Sequence, residues 1–251
     1  METGKGLTNE QLEGRNAVIE ALRANRPIDK IYMAGAETDR SLGLLHTVAR
    51  EKGIPIVLVD RRKLDAMSET HAHQGVIAVC AVQESCSIAD ILAAAKTKGE
   101  DPFVIVCDEI TDGHNLGAII RTAECVGAHG VIIPKRHSAG LTAVVNKASA
   151  GAAAHLPVAR VSNLRAALEE LKKEGLWIYG TAADGSNSLW ETNLTGPIAI
   201  VIGSEGDGMG RLVREGCDFI LSLPMKGKIS SLNASVAGAL VMYEVLRQRG
   251  L

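Results

Sequence analysis

Aromatic residues are nearly missing from this chain: two Trp, three Tyr and two Phe occur among 251 residues. A core so poor in rings must be aliphatic, and base stacking on aromatic side chains is expected to be minor. Cysteine is sparse and unpatterned. Cys80, Cys86, Cys107, Cys125 and Cys217 form no C-x-x-C pair and have no His at metal-ligand spacing. That excludes a zinc ribbon or disulfide scaffold and reads as reduced, mostly buried thiols of a cytoplasmic protein, with no metal. Excess charge is also lacking: 27 Lys and Arg face 29 Asp and Glu, for a formal net charge of −2. The molecule as a whole therefore attracts neither nucleic acid nor an anionic membrane, and any such binding must come from local basic clusters. No apolar run reaches the length of a membrane span. The opening "METGKGLTNEQ" has no apolar core, so no signal peptide is expected. There is no internal repeat and no low-complexity tract.

What is present is aliphatic bulk and glycine, with 46 % hydrophobic residues and 26 Gly. "AVIEALRAN" (17–25) and "SLGLLHTVAREKG" (41–53) have helical spacing, the second closing on Gly53. "DKIYMA" (29–34), "IPIVLVD" (54–60) and "GVIAVCAV" (75–82) read as strands. These elements predict a small α/β domain over 1–82. The stretch 83–102, polar at both ends with a short amphipathic piece between, is expected to be a linker. Beyond it come "FVIVCDEI" (103–110), "GVIIPK" (130–135), "LWIYGTA" (176–182) and "PIAIVIG" (197–203). Continuous apolar strands separated by helical segments imply a mainly parallel sheet covered on both faces, over 103–251.

Ligands of such sheets bind beyond the carboxyl ends of the strands, and three loops there are unusual. In "DEITDGHNLGAIIRTAECVGAHGVIIP" (108–134) a strand ends, glycines loosen the turn, and a helix is expected from about Leu116. On local pattern alone Asn115 is an N-cap and Arg121 an exposed helix residue. In "IAIVIGSEGDGMGRLV" (198–213) a strand runs into Gly203, Gly206, Gly208 and Gly210. The spacing is not G-x-G-x-x-G, and Glu205 and Asp207 would repel a pyrophosphate, which disfavours a nicotinamide-dependent oxidoreductase. Glycines with acids suit a neutral or cationic ligand approached by bare backbone, and S-adenosylmethionine fits that description. In "PMKGKISSLNASVAGALVMYE" (224–244), Ser230, Ser231 and Asn233 exceed what one helix cap requires. The helix expected from Leu232 to Gln248 then places Ala234, Ser235, Ala237, Gly238 and Ala239 near its start, small residues suited to close approach of a partner.

Together "DGHNLGAIIRTAE", "IVIGSEGDGM" and "LPMKGKISSLNASVA", in this order, resemble the SpoU (TrmH) family of RNA ribose 2′-O-methyltransferases of the SPOUT superfamily. "GRNAVIEAL" (14–22) and "HQGV" (73–76) look like the substrate-binding domain of the branch that methylates a guanosine of 23S rRNA. The resemblance implies an L30e-like RNA-binding domain, a C-terminal α/β domain with a deep trefoil knot, S-adenosylmethionine as cofactor, and a homodimer formed through the knot region. It implies that Thr181, Gly203, Leu223 and Leu232 bind the cofactor. Asn115, Arg121, Glu205, Ser231 and Asn233 would line the reaction centre. Candidate RNA contacts are Arg15, Lys135 with Arg136, and Lys226 with Lys228, and "RRK" at 61–63 is a further basic cluster. Within the resemblance, a tRNA guanosine methyltransferase and an adenosine rRNA methyltransferase conferring antibiotic resistance stay open. Outside enzymes, a non-catalytic RNA-binding protein is the alternative.

Overall fold

A computed structural model describes residues 10–35, 40–80 and 86–250. The chain divides into two units, one formed by 1–84 with 141–155 and the other by 85–140 with 156–251.

In the first unit, strands β1 (Glu10–Glu13), β2 (Ile28–Ala34), β3 (Ile56–Val59) and β4 (Val76–Cys80) form a sheet of order β1-β4-β2-β3. Helices α1 (Arg15–Arg23) and α2 (Arg40–Glu51) accompany it, with α3 (Arg61–Met67) capped by Asp60, whose side chain accepts from Lys63 N at 2.8 Å. Val18, Leu22, Ile31, Leu45 and Val76 lie in one buried cluster. The stretch 75–82 is a strand only over Val76–Cys80, and 81–82 lie outside the described residues. Beside the core, the Glu13 carboxylate is fully buried. It accepts from Ser68 Oγ at 2.6 Å, Glu69 N at 2.6 Å, Thr70 N at 3.2 Å and Gln11 Nε2 at 2.8 Å, and also from the Thr70 hydroxyl. Burial alone pushes its pKa up, but these donors outweigh burial and hold it below the ordinary value.

The second unit is built on strands β5 (Phe103–Cys107), β6 (Gly130–Pro134), β7 (Val158–Val161), β8 (Trp177–Thr181), β9 (Asn187–Ser188), β10 (Ile198–Ile202) and β11 (Phe219–Ser222). They form one sheet of order β7-β6-β5-β10-β8-β11-β9 in which every described pair is parallel. Its helices are α4 (Ile88–Lys98), α5 (Gly113–Cys125), α7 (Leu164–Lys173), α8 (Arg211–Arg214) and α9 (Ala234–Gln248). The central strands β5 and β10 are buried along their whole length, as their unbroken aliphatic runs require. Three of the few rings, Trp177, Tyr179 and Phe219, meet on the neighbouring pair β8 and β11. The remaining helix, α6 (Ala143–Ala148), lies between β6 and β7 in sequence but belongs to the first unit, where it packs on edge strand β1.

Three expectations change. The stretch 83–102 is not a plain linker: its helix α4 has a Ser87–Asp90 capping box, ends on Gly99, and buries Ile88, Ile91 and Ala95. Ile88 and Ile91 join the sheet's core, so the amphipathic piece is part of the second unit. Asn115 is not the N-cap of α5. Asp112 takes that place, accepting from His114 N at 2.9 Å, and Asn115 sits in the first turn. Gly238 does not face a partner: a Cβ there would lie 2.6 Å from Ile202 Cδ1, so the glycine lets α9 press on its own strand β10. The five cysteines are free thiols, with Cys80 and Cys107 buried, Cys86 and Cys217 half-buried and Cys125 exposed. Burial pushes Cys107 and Cys217 up to about 12.

Candidate active site

The three unusual loops meet at the carboxyl ends of β5, β8, β10 and β11. Between them is a cavity of about 260 Å³ whose walls include Thr181, Gly203, Leu223, Ser231 and Leu232, with Ala234, Ala237 and Val241 of α9 closing one side. Much of this wall is aliphatic or backbone. The strand β10 ends at Ile202, and the loop after it folds back so that Ser204 N donates to Gly208 O at 2.9 Å. That return needs glycine: a Cβ on Gly203 would lie 2.3 Å from the Gly208 carbonyl carbon, and Gly208 has φ of 70°. The loop is tied to β5 by Asp108, which is buried and accepts from Gly210 N at 2.8 Å. Burial raises the Asp108 pKa, nearby Glu109 adds to the rise, and the Gly210 amide opposes it.

At the cavity's rim three polar side chains from three loops join. Asn115 Nδ2 donates to Glu205 Oε1 at 2.8 Å, and Asn233 Nδ2 donates to Asn115 Oδ1 at 3.0 Å and also to Glu205 Oε1. Asn233 also caps α9: its Oδ1 accepts from Ser235 N at 3.0 Å and Val236 N at 3.2 Å. One residue thus starts the helix and completes the cluster, while Ser230 and Ser231 of the same loop line the cavity. A second recess, about 400 Å³, is lined by Glu109, Asp112, Asn115 and His137 and shares Ser204, Glu205, Asp207 and Ala234 with the first. Glu205 therefore borders both recesses, and Asn115 lines the second.

The other expected residues lie elsewhere. Arg121 is exposed on α5 and makes no hydrogen bond or ion pair among the described residues. Six residues after Asn115, it is turned roughly 240° around the helix from it. Lys135 and Arg136 are exposed just after β6, and Lys226 and Lys228 are exposed in the loop before α9. Arg15, in the first unit, donates from Nε to Gln74 O at 3.0 Å, and its backbone N–H donates to Gln74 Oε1 at 3.1 Å. The "GRNAVIEAL" and "HQGV" stretches are thus neighbours. Sequence reasoning missed Asp108 as a clamp and the Asp184–Arg214 pair on the cavity wall, which is bidentate at 2.9 and 3.1 Å. A lone Asp after an apolar strand hints at the first. Nothing local signals the second, because it depends on folding across 30 residues.

Comparison with known proteins shows the family. The SpoU rRNA Methylase family matches residues 102–243, and the family described as RNA 2′-O ribose methyltransferase substrate binding matches 11–85. YacO of Bacillus subtilis (strain 168), which bears the name of a TrmH family tRNA/rRNA methyltransferase, is 50 % identical over 94 % of this chain and 94 % of its own. A tRNA/rRNA methyltransferase of Synechocystis is 42 % identical over 95 % of this chain and 62 % of its own. Among solved structures, the SpoU methyltransferase AviRb of Streptomyces viridochromogenes in complex with AdoMet superposes with a TM-score of 0.81. It is 26 % identical and covers 96 % of this chain and 90 % of that one. The chain belongs to the SpoU rRNA Methylase family and is an RNA methyltransferase.

Proposed function

We propose that the protein methylates the ribose 2′-hydroxyl of a guanosine in 23S rRNA, as a cytoplasmic homodimer. The methyl donor is S-adenosylmethionine. The observation that carries the reading is the Asn115–Glu205–Asn233 cluster standing between two recesses. In this reading the enclosed cavity takes the adenosyl group, with Thr181, Gly203, Leu223 and Leu232 against it, and the open depression takes the nucleotide. Glu205 and Asp207 favour a cationic donor and disfavour a dinucleotide.

When bound, the donor supplies a methyl carbon already activated by its sulfonium. What remains for the protein is position and one proton. The amides of Asn115 and Asn233 are fixed by Glu205 and orient the ribose. Glu205 Oε2 makes no hydrogen bond among the described residues, and we assign it the 2′-hydroxyl proton. Ser231, on the cavity wall, holds the ribose from the other side. A guanidinium stays charged at neutral pH. Arg121 is therefore given the substrate phosphate and the developing oxyanion, and its place on α5 has it serve the partner's centre.

The homodimer reading is supported by the outer face of α9. Val236, Leu240 and Tyr243 are 48 %, 42 % and 53 % exposed, and they line a shallow apolar groove with Ala118 and Thr122 of α5. The trefoil knot belongs to the same proposal: β10 follows β8 in the chain yet lies between β5 and β8 in the sheet. Lys135, Arg136, Lys226 and Lys228 are assigned to RNA near the reaction centre, and Arg15 to RNA on the first unit. The test is to map 2′-O-methyl positions in rRNA and tRNA from a deletion strain and to restore the missing mark with purified protein. Loss at one 23S guanosine, restored only with S-adenosylmethionine, is expected. A missing tRNA mark with intact 23S rRNA would replace the substrate.

A further inference from the structure

The first unit carries a basic and aromatic surface that the methyl-transfer site does not use. Tyr32, in the middle of β2, is half-buried, although rings are scarce in this chain. Two ammonium groups lie against its ring: Lys30 Nζ at 5.9 Å and Lys63 Nζ at 5.8 Å from the centroid. Lys30 comes from the same strand two residues earlier, so both side chains leave the sheet on one face. Lys63 comes from the first turn of α3, which Asp60 caps. Arg61 and Arg62 are exposed beside it. On the same face Tyr32 stands in register with Val57 of β3, which is 37 % exposed. Opposite, it pairs with Ile77 of β4. The ring packs against the small cluster of Ala34, Leu64 and Ile77, which fixes its position.

Among the described residues, two acids of this region are occupied. Asp60 caps α3, and Asp65 lies 2.9 Å from His73 Nε2. Two ammonium groups therefore flank one anchored ring, with the exposed Arg62 next to Lys63 in the chain, in a protein whose net charge is −2. Holding ammonium groups near each other costs energy unless an anion or a π-face offsets it, and here the ring does so in part. A ring for a base and cations for its flanking phosphates are the two elements of a single-strand contact.

We infer that the Lys30–Tyr32–Lys63 face binds a single-stranded segment of the RNA substrate, with one base on the Tyr32 ring and phosphates at Lys30, Lys63 and Arg62. This rests on the protein's being an RNA methyltransferase, and it assigns the holding of the substrate outside the reaction centre to a particular surface.

The test uses the full chain and a fluorescein-labelled single-stranded RNA 12-mer of mixed sequence, read by anisotropy across a salt series. Calorimetry with S-adenosylmethionine is run on every variant. Tyr32→Phe should retain affinity, while Tyr32→Leu should weaken it about tenfold without changing the salt slope. Lys30→Gln and Lys63→Gln should each lower the slope of log affinity against log salt by about 0.7. Cofactor affinity should be unchanged throughout, since none of these residues lines the cavity. Tyr32→Leu within twofold of wild type, or unchanged slopes in both lysine variants, would overturn the inference. Loss confined to anionic phosphatidylserine vesicles, with RNA binding intact, would also overturn it. If the wild type binds the donor but no RNA at all, the substrate reading itself fails, which is a different result from a variant that behaves like wild type.

Discussion

Asn115 and Glu205 are 90 residues apart in sequence, yet the Asn115 side-chain amide donates to Glu205 Oε1 at 2.8 Å. Asn233, 28 residues further on, donates to the same oxygen. Three loops are thereby fastened through one carboxylate oxygen, and the enclosed cavity and the open depression meet there.

Asn233 does two things, and substitution can separate them. Asn233→Ser keeps a good N-cap for α9, so stability should change by less than about 0.5 kcal/mol. It removes the amide that reaches Asn115 and Glu205, so the methyl-transfer rate should fall roughly a hundredfold. Thermal denaturation with single-turnover kinetics checks both. A rate close to wild type would show that the amide serves only the helix.

Arg121→Ala should abolish transfer and leave cofactor affinity unchanged, because Arg121 lies outside the cavity wall. If Arg121 serves the partner's centre, Arg121→Ala and Asn115→Ala subunits complement each other. Half of randomly mixed dimers are mixed and each has one intact centre, so activity should return to roughly a quarter of wild type. A mixture as inactive as its components rules out the shared centre.

Gly203→Ala puts a methyl group where the Gly208 backbone lies. The returning loop must shift, at a cost of about 1–3 kcal/mol. Affinity for S-adenosylmethionine should drop at least tenfold by calorimetry. Gly206→Ala meets nothing within 4 Å and is the matched control.

The two faces of α9 should respond differently. Leu240→Arg on the outer face should yield a folded monomer with little activity, seen by sedimentation. Gly238→Leu drives into Ile202 and should destabilise the protomer before any effect on association. A dimeric Leu240→Arg variant would move the interface away from this helix.

Acid should loosen the first unit through Glu13. Its folded pKa lies below the ordinary carboxylate value of 4.5, so the ionised form is favoured by folding. The resulting stability is fully present above about pH 4.5 and is lost as pH falls through the lowered folded value. Glu13→Gln should flatten this acid limb. At neutral pH it should cost about 1–3 kcal/mol, because a neutral amide cannot satisfy the same set of donors. Denaturant titrations between pH 3 and pH 7, followed by amide exchange in the first unit, measure both effects.

Much of the second unit was legible in the sequence because its strands are buried on both faces, so β5 and β10 are unbroken aliphatic runs that no other element explains. The site loops were legible because glycine and small polar residues cluster after those strands. The amphipathic character of α4 was legible, but its place in the sheet's core was not, because its ends are polar and only Ile88, Ile91 and Ala95 are buried. The cap of α5 was misplaced because Asp112 and Asn115 are both good cap residues, and only backbone geometry distinguishes them. The inward turn of Gly238 was also hidden, since a glycine on a helix looks the same whether it faces its own sheet or another chain.

By itself, then, the sequence determined the alternation of aliphatic strands and helices, the glycine-rich return after β10, and the polar residues available at three loops. Those are local properties, set by hydrophobic periodicity and backbone freedom. Only the tertiary structure decided that Asn115, Glu205 and Asn233 share hydrogen bonds, that Asp108 ties down the Gly210 backbone, and that Lys30 and Lys63 lie against one tyrosine. Apart from Lys30 and Tyr32, which share β2, each of these contacts joins residues from different elements. It exists because strand order and register bring the ends of those elements together, and spacing along the chain does not encode that order.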